Sequence, residues 1–192
     1  MLDSKDSIIV VSGLPRSGTS MMMKMLVEGR IEAVSDNIRT ADEDNPKGYF
    51  ELGKVKRLDK DHSWVGECKG KVVKIISMLL TPLPSQYNYK IIFMRRKMDE
   101  ILASQRQMLI RRGKPTNTIS DDKMAEMFNK HLKDIESLIA SSRHMDCLYV
   151  SYNEVLENPL ENIEKINAFL GGNLNPRGML EVVDKTLHRQ KR

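Results

Sequence analysis

Residues 8–26 read I-I-V-V-S-G-L-P-R-S-G-T-S-M-M-M-K-M-L. The β-branched run Ile8 to Val11 suits a strand, a Gly-bounded loop follows, and the Met-rich segment behind it has good helix propensity. That order is strand, phosphate loop, helix. Gly13 and Gly18 stand at G-x-x-x-x-G spacing, so the backbone can curl and turn successive N–H groups inward, while the N-terminus of the next helix adds partial positive charge facing the same concavity. The expected ligand is an anion.

In the Walker A form a lysine follows the second glycine and reaches the β/γ-phosphates. Here that position is Thr19, and the cation of the loop is Arg16, placed before the second glycine and directly after Pro15. Ser17, Thr19 and Ser20 add hydroxyls at the helix entrance. The loop is therefore re-aimed for something other than nucleoside triphosphate hydrolysis. A P-loop kinase or NTPase stays open as a second reading and predicts Mg²⁺-dependent binding of ATP or GTP. A non-catalytic nucleotide- or polyanion-binding module is a third.

The 192 residues suffice for one domain over positions 1–192. A hydrophobic share of 40% and a charged share of 30% fit a soluble globular protein, and no run of about eighteen apolar residues is available to cross a membrane. The start, M-L-D-S-K-D-S, enters the first strand without a long apolar region, so no signal peptide is expected. Cys68 and Cys147 make no C-x-x-C and no zinc spacing, and a reduced, cytoplasmic compartment is the expected home. The net charge of +5 suits a polyanionic small ligand. Few aromatics and no basic stripe argue against nucleic acid.

Along the chain, the first helix should end near Gly29, and Ile31 to Val34 reads as a short strand. A polar stretch, S-D-N-I-R-T-A-D-E-D-N-P-K-G-Y-F-E, then has the length of a lid or binding loop beside the phosphate site. Asp36 opens it, one helix and one strand after Arg16. In a parallel sheet it returns to the mouth of the loop. Leu52 to Trp64 shows weak helical periodicity, with His62 read as a surface residue. Lys71 to Ser77 and Lys90 to Met94 read as strands, the latter ending in Arg95-Arg96 on the ligand side of the sheet. The helix Met98 to Arg112 should bury Ile101, Leu102, Gln105, Met108 and Leu109. A longer helix runs from Asp121 to Ser141 with Ser120 as N-cap and His131 in a structural role. Cys147 to Ser151 is a last strand, and the helix Leu160 to Leu170 closes at Gly171-Gly172. Strands alternating with helices imply an α/β fold, a mostly parallel sheet flanked by helices.

Three stretches, L-P-R-S-G-T-S, R-K-M-D-E-I-L-A-S, and Y-N-E-V-L-E-N-P followed by K-I-N-A-F-L-G, together resemble the sulfotransferases that use 3′-phosphoadenosine 5′-phosphosulfate (PAPS), whose fold is P-loop NTPase-like. The resemblance spans about Ile8 to Gly171. It implies that Arg16, Ser17, Gly18, Thr19 and Ser20 hold the 5′-phosphosulfate and that Arg96 and Ser104 hold the 3′-phosphate, with no metal required. K-V-V-K-I-I-S-M-L-L is similar to the family strand that carries a cation, matched by Lys74. The histidine that cytosolic members place two residues later is Ile76 here. Members with an arginine in the loop take a carboxylate after the first helix as general base, a position matched by Asp36, with Glu43, Glu51 and His62 next in line. Arg16, Asp36 and Lys74 thus form the implied catalytic set. The acceptor is a small molecule or glycan bearing a hydroxyl or amine, with Tyr49, Phe50, Trp64 and the loop from Arg111 to Thr118 as pocket candidates. The family's C-terminal R-K-G segment has no match, and Arg189 is its nearest substitute.

Overall fold

The sequence folds into five strands, β1 (Ile8–Gly13), β2 (Ala33–Val34), β3 (Val72–Lys74), β4 (Tyr89–Arg95) and β5 (Met145–Ser151), of which β1, β3 and β4 are largely buried and β2 and β5 partly. The computed structural model describes residues 6–36, 38, 42, 48–116, 118–184 and 186. The strands form one five-stranded sheet in the order β2-β3-β1-β4-β5, with every neighbouring pair parallel. Crossovers are carried by α1 (Thr19–Glu28), α2 (Met98–Arg111) and α3 (Asp121–Ser141), and α4 (Tyr152–Glu157), α5 (Pro159–Phe169) and α6 (Pro176–Val182) follow β5.

Successive strand residues point to opposite faces, and both faces are covered. Ile9 and Val11 of β1 with Ile92 and Met94 of β4 pack against Met22, Met25 and Leu26 of α1 and against Val155, Ile163 and Met179 of the last three helices. Ile8, Val10, Ile91 and Phe93 pack on the other side against Ile135 and Ile139 of α3 and against Leu58, Trp64 and Val65. Burial on both sides is why the strands read as continuous apolar runs.

The register brings the functional candidates to one edge. Val11 pairs with Lys74, Gly13 with Met94, Val34 with Val73 and Arg95 with Ser151. The carboxyl ends of all five strands therefore share an edge, and the residues just past them include Arg16, Asp36 and Arg96. The connections leave β1 toward β2 and β3 on one side and reach β4 and β5 on the other, which makes the crevice beyond β1 a topological switch point. No helix among the described residues is long and apolar enough to cross a membrane.

Local structure departs from the sequence pattern in four places. β3 stops at Lys74, and Ser77–Leu79 is a 3₁₀ turn instead of strand. Residues 52–64 make no α-helix; 3₁₀ turns form at Gly53–Arg57 and Val65–Cys68, because the first of these buries Val55 alone among lysines and arginine. The two short helices α4 and α6 are defined by their caps, since Ser151 Oγ accepts from Glu154 N at 3.3 Å and Asn175 Oδ1 accepts from Gly178 N at 3.3 Å. Runs of six and seven residues are too short to show a helical period.

Candidate active site

The loop between β1 and α1 has a backbone that side chains would spoil. Gly13 (φ 140°) and Gly18 (φ 98°) both lie in the left-handed half of conformational space. A Cβ on Gly13 would sit 2.6 Å from the Met94 carbonyl oxygen and 2.6 Å from Ser17 Oγ, and one on Gly18 would overlap the ring of Tyr152. Among the described residues no side chain caps the N-terminus of α1, and no carboxylate lies in its first turn. Ser17 Oγ is buried and has no hydrogen-bond partner among the described residues. A buried hydroxyl left in this condition inside a Gly-bounded loop, beside an uncapped helix N-terminus, suits an anion that supplies the missing acceptor.

Arg16 adopts φ 72°, a conformation that costs a non-glycine residue on the order of 1–3 kcal/mol. Two hydrogen bonds hold it there: Arg16 Nε donates to Ser104 Oγ at 2.9 Å, and the Arg16 carbonyl accepts from Arg96 Nη1 at 3.2 Å. Arg96 is itself held: its Nε donates to Glu100 Oε2 at 2.8 Å and its guanidinium lies 4.5 Å from the centroid of the Tyr152 ring, while Glu100 Oε1 in turn accepts from Asn153 Nδ2 at 2.9 Å. The Arg96 and Glu100 side chains are only 8% and 1% exposed. Arg95 points the other way, as its neighbour in a strand must, and pairs with Glu136 at 2.5 Å over the Tyr149 ring.

The inward face of α2 is thus not the one that apolar periodicity marks. Its buried residues are Glu100, Ile101, Ala103 and Ser104, while Leu102, Gln105, Met108 and Leu109 are only partly covered. Glu100, Tyr152 and Asn153 were missed as site residues, although the sequence signal was present: Y-N-E stands at the exit of β5, beside the R-K-M-D-E at the exit of β4.

Lys74 closes the other side. Its Nζ donates to Ser20 Oγ at 3.2 Å and to the Tyr49 carbonyl, and it lies 5.9 Å from the Tyr49 ring centroid. Tyr49 is buried, and its hydroxyl donates to Asp42 Oδ1 at 2.5 Å. The end of the polar loop is therefore folded down on β3 and on the entrance of α1.

Asp36 lies at the expected edge but its carboxylate is engaged. Oδ1 accepts from Ile38 N at 3.1 Å and Oδ2 from Gly53 N at 2.5 Å. Those backbone N–H groups hold its pKa below the ordinary 3.8. Of the pocket candidates, Trp64 belongs to the core, with Nε1 donating to the Asp61 carbonyl at 3.1 Å, and Phe50 packs toward the α1 side of the sheet. His62 is exposed, Glu51 is half-buried, and the chain from Arg111 to Thr118 leaves the end of α2 largely exposed, with position 117 undescribed. Glu43 and Arg189 lie outside the described residues. Burial pushes the Cys68 thiol up to about 11 and the Cys147 thiol up to about 12, so neither is a nucleophile near neutral pH.

A family model described as the sulfotransferase domain matches residues 5–192. The chain belongs to the sulfotransferase family. Among solved structures, this sulfotransferase is similar to a mouse sulfotransferase crystallised with PAP (TM-score 0.59, 17% identity, covering 100% of this chain and 69% of that one). It is also similar to the sulfotransferase domain of the curacin biosynthetic pathway (TM-score 0.57, 13% identity, 93% and 78% coverage). A third is the sulfotransferase domain of the Synechococcus PCC 7002 olefin synthase (TM-score 0.56, 14% identity, 98% and 81% coverage). At these identities the likeness shows the fold, which sulfotransferases share with P-loop NTPases. No curated protein matches the chain.

Proposed function

We propose that this sulfotransferase moves the sulfuryl group of PAPS to a hydroxyl or amine of a small-molecule or glycan acceptor. The observation that carries the reading is the joining of two anion-binding elements, in which Arg16 reaches Ser104 while Arg96 supports the Arg16 carbonyl. A nucleotide with phosphate groups on both its 3′ and 5′ positions needs two such elements side by side.

In this reading the loop residues Arg16, Ser17, Gly18, Thr19 and Ser20 take the 5′ end, with Ser17 Oγ finding there the partner it lacks in the protein. Arg96 and Ser104 take the 3′-phosphate, and the planar guanidinium of Arg96 is oriented beforehand by Glu100 and Tyr152. Arg16 and Lys74 supply positive charge where the phosphate oxygen departs, in a place set before the reaction starts. The loop offers no lysine for a γ-phosphate, which favours PAPS over ATP. Asp36, the carboxylate matched to the family's base, accepts one backbone N–H at each oxygen, and these bonds lower its pKa.

The test is calorimetry with PAP, ATP and GTP, each with and without Mg²⁺, followed by transfer from ³⁵S-labelled PAPS. Metal-independent PAP binding with no ATP binding is expected. Mg²⁺-dependent binding of ATP in preference to PAP would point to a kinase or NTPase instead.

A further inference from the structure

Sulfuryl transfer to a neutral hydroxyl needs a group that takes the acceptor's proton. At the carboxyl edge of the sheet, Arg16, Arg96 and Lys74 are cations, Glu100 is paired with Arg96, and Asp36 is bonded to two backbone N–H groups. We propose that His131 of α3 accepts that proton, with its ring set by Ser77, and that the apolar part of the acceptor lies against Met78 and Met127. This deepens the sulfotransferase reading and rests on it.

Three placements carry the proposal. His131 Nε2 lies 2.9 Å from Ser77 Oγ, joining positions 54 apart, and Ser77 follows Lys74 by three residues, fully buried where the chain leaves β3. Next, the turn of α3 that carries His131 faces the loop between β1 and α1: Phe128 and Leu132 share one apolar cluster with Leu14 of that loop and Ile101 of α2. Finally, two large apolar side chains are exposed on the same two elements. Met127, one helical turn before His131 on the same face, is 51% exposed, and Met78, next to Ser77, is 40% exposed.

In the proposed step His131 takes the tautomer in which Nε2–H donates to Ser77 Oγ, whose own hydroxyl hydrogen then turns toward Met78 Sδ, 3.5 Å away. In that tautomer the remaining lone pair of the ring is on Nδ1. Burial lowers the His131 pKa from 6.5 and Asp134 on the same helix opposes that; the Ser77–Leu79 turn packed against it carries no titratable group. The imidazole is neutral at neutral pH and ready to accept a proton.

The step balances as follows. The acceptor oxygen attacks sulfur and forms the new O–S bond as the bond from sulfur to the 5′-phosphate oxygen breaks. That bond's electron pair stays on the phosphate oxygen, beside Arg16 and Lys74. The acceptor's proton passes to His131 Nδ1 and later to water.

The experiment measures transfer from labelled PAPS to phenols graded in acidity, from phenol to 4-nitrophenol, by the wild type, His131→Gln, Ser77→Ala and Asp36→Asn, with PAP affinity and Tm recorded for each. His131→Gln should lower kcat by ~10²–10⁴ with phenol, and by far less with 4-nitrophenol, which ionises near neutral pH and needs no base. The fall in wild-type kcat/KM below pH 6.5 should vanish in this variant. Ser77→Ala should show the same acidity trend with a smaller loss. A loss that is equal across the phenols, no loss at all, or an acidity-dependent loss in Asp36→Asn instead overturns the assignment to His131. Wild-type protein that neither binds PAP nor sulfates any phenol overturns the sulfotransferase reading itself, and this assignment with it.

Discussion

Arg16 Nε and Ser104 Oγ meet at 2.9 Å across 88 positions of sequence. One residue belongs to the loop after β1 and the other to the second turn of α2, so this hydrogen bond, together with the one from Arg96 Nη1 to the Arg16 carbonyl, joins the two strand exits that flank the switch point of the sheet. In the proposed reading, this ties recognition of one end of the nucleotide to the placement of the other. A serine hydroxyl in this position can serve the guanidinium and a phosphate oxygen together, since it carries one donor and two acceptor lone pairs.

Ser104→Ala removes both services. A hydrogen bond to a charged group is worth ~1.5–3 kcal/mol, so PAP should bind about tenfold to hundredfold more weakly. Adenosine 5′-phosphate, which lacks the 3′-phosphate, should lose much less. Calorimetric titration of both ligands separates the cases, and equal losses would assign Ser104 to the loop's fold alone.

The pair Arg96–Glu100 makes a second prediction. Both side chains are nearly excluded from water, and removing one member of such a pair leaves a buried charge that typically costs ~3–5 kcal/mol. Glu100→Ala should therefore lower Tm substantially. Saturating PAP should recover part of that loss, because its 3′-phosphate gives Arg96 a new anionic partner and binding favours the folded state. A Tm deficit unchanged by PAP would mean that Arg96 does not contact the nucleotide.

β1 and β4 were legible because short apolar runs bounded by turn residues suit strands covered on both faces, and the span of α3 followed from Ser120, whose Oγ accepts from Lys123 N at 3.3 Å. The loop after β1 was legible because its glycines and its arginine are adjacent in sequence. Glu100, Tyr152 and Asn153 were not, since they act on Arg96 from three helical positions whose convergence depends on how α2 and α4 dock. Polar residues on a buried helix face oppose the apolar periodicity that marks a core, and α2 hides its Glu100 and Ser104 for the sake of the site. The hydrogen bond between His131 and Ser77 was not legible for a similar reason: the two lie 54 positions apart, and Ser77 is on a turn that the pattern assigns to a strand.

Asp36 makes a prediction about pH. Its folded pKa is depressed by the Ile38 and Gly53 N–H groups, so the sign follows: its contribution is present above the ordinary value of 3.8 and is lost as pH falls through the lower folded value. The stability difference between wild type and Asp36→Asn, whose side chain keeps one accepting oxygen, should be greatest above pH 4 and shrink on acidification below it. Urea unfolding at a series of pH values reads this directly. A difference that grows on acidification would contradict the bonding seen at Gly53.

Lys74 separates binding from chemistry. Its ammonium spans Ser20 at the entrance of α1 and the Tyr49 carbonyl of the polar loop, and in the proposed reaction it acts on charge that appears only as the sulfur–oxygen bond breaks. Lys74→Met keeps the side chain's length and removes its charge. Because ground-state affinity draws mainly on Arg16, Arg96 and Ser104, the PAP dissociation constant should change little, whereas single-turnover transfer from labelled PAPS should slow by ~10²–10³, the loss expected for one stabilising donor. Lys74→Arg should recover only part of the rate, since a planar fork does not reproduce a point charge held between a hydroxyl and a carbonyl. A Lys74→Met enzyme that loses PAP affinity and rate in equal proportion would place Lys74 among the groups that bind the nucleotide uniformly, and would leave Arg16 alone to meet the departing phosphate.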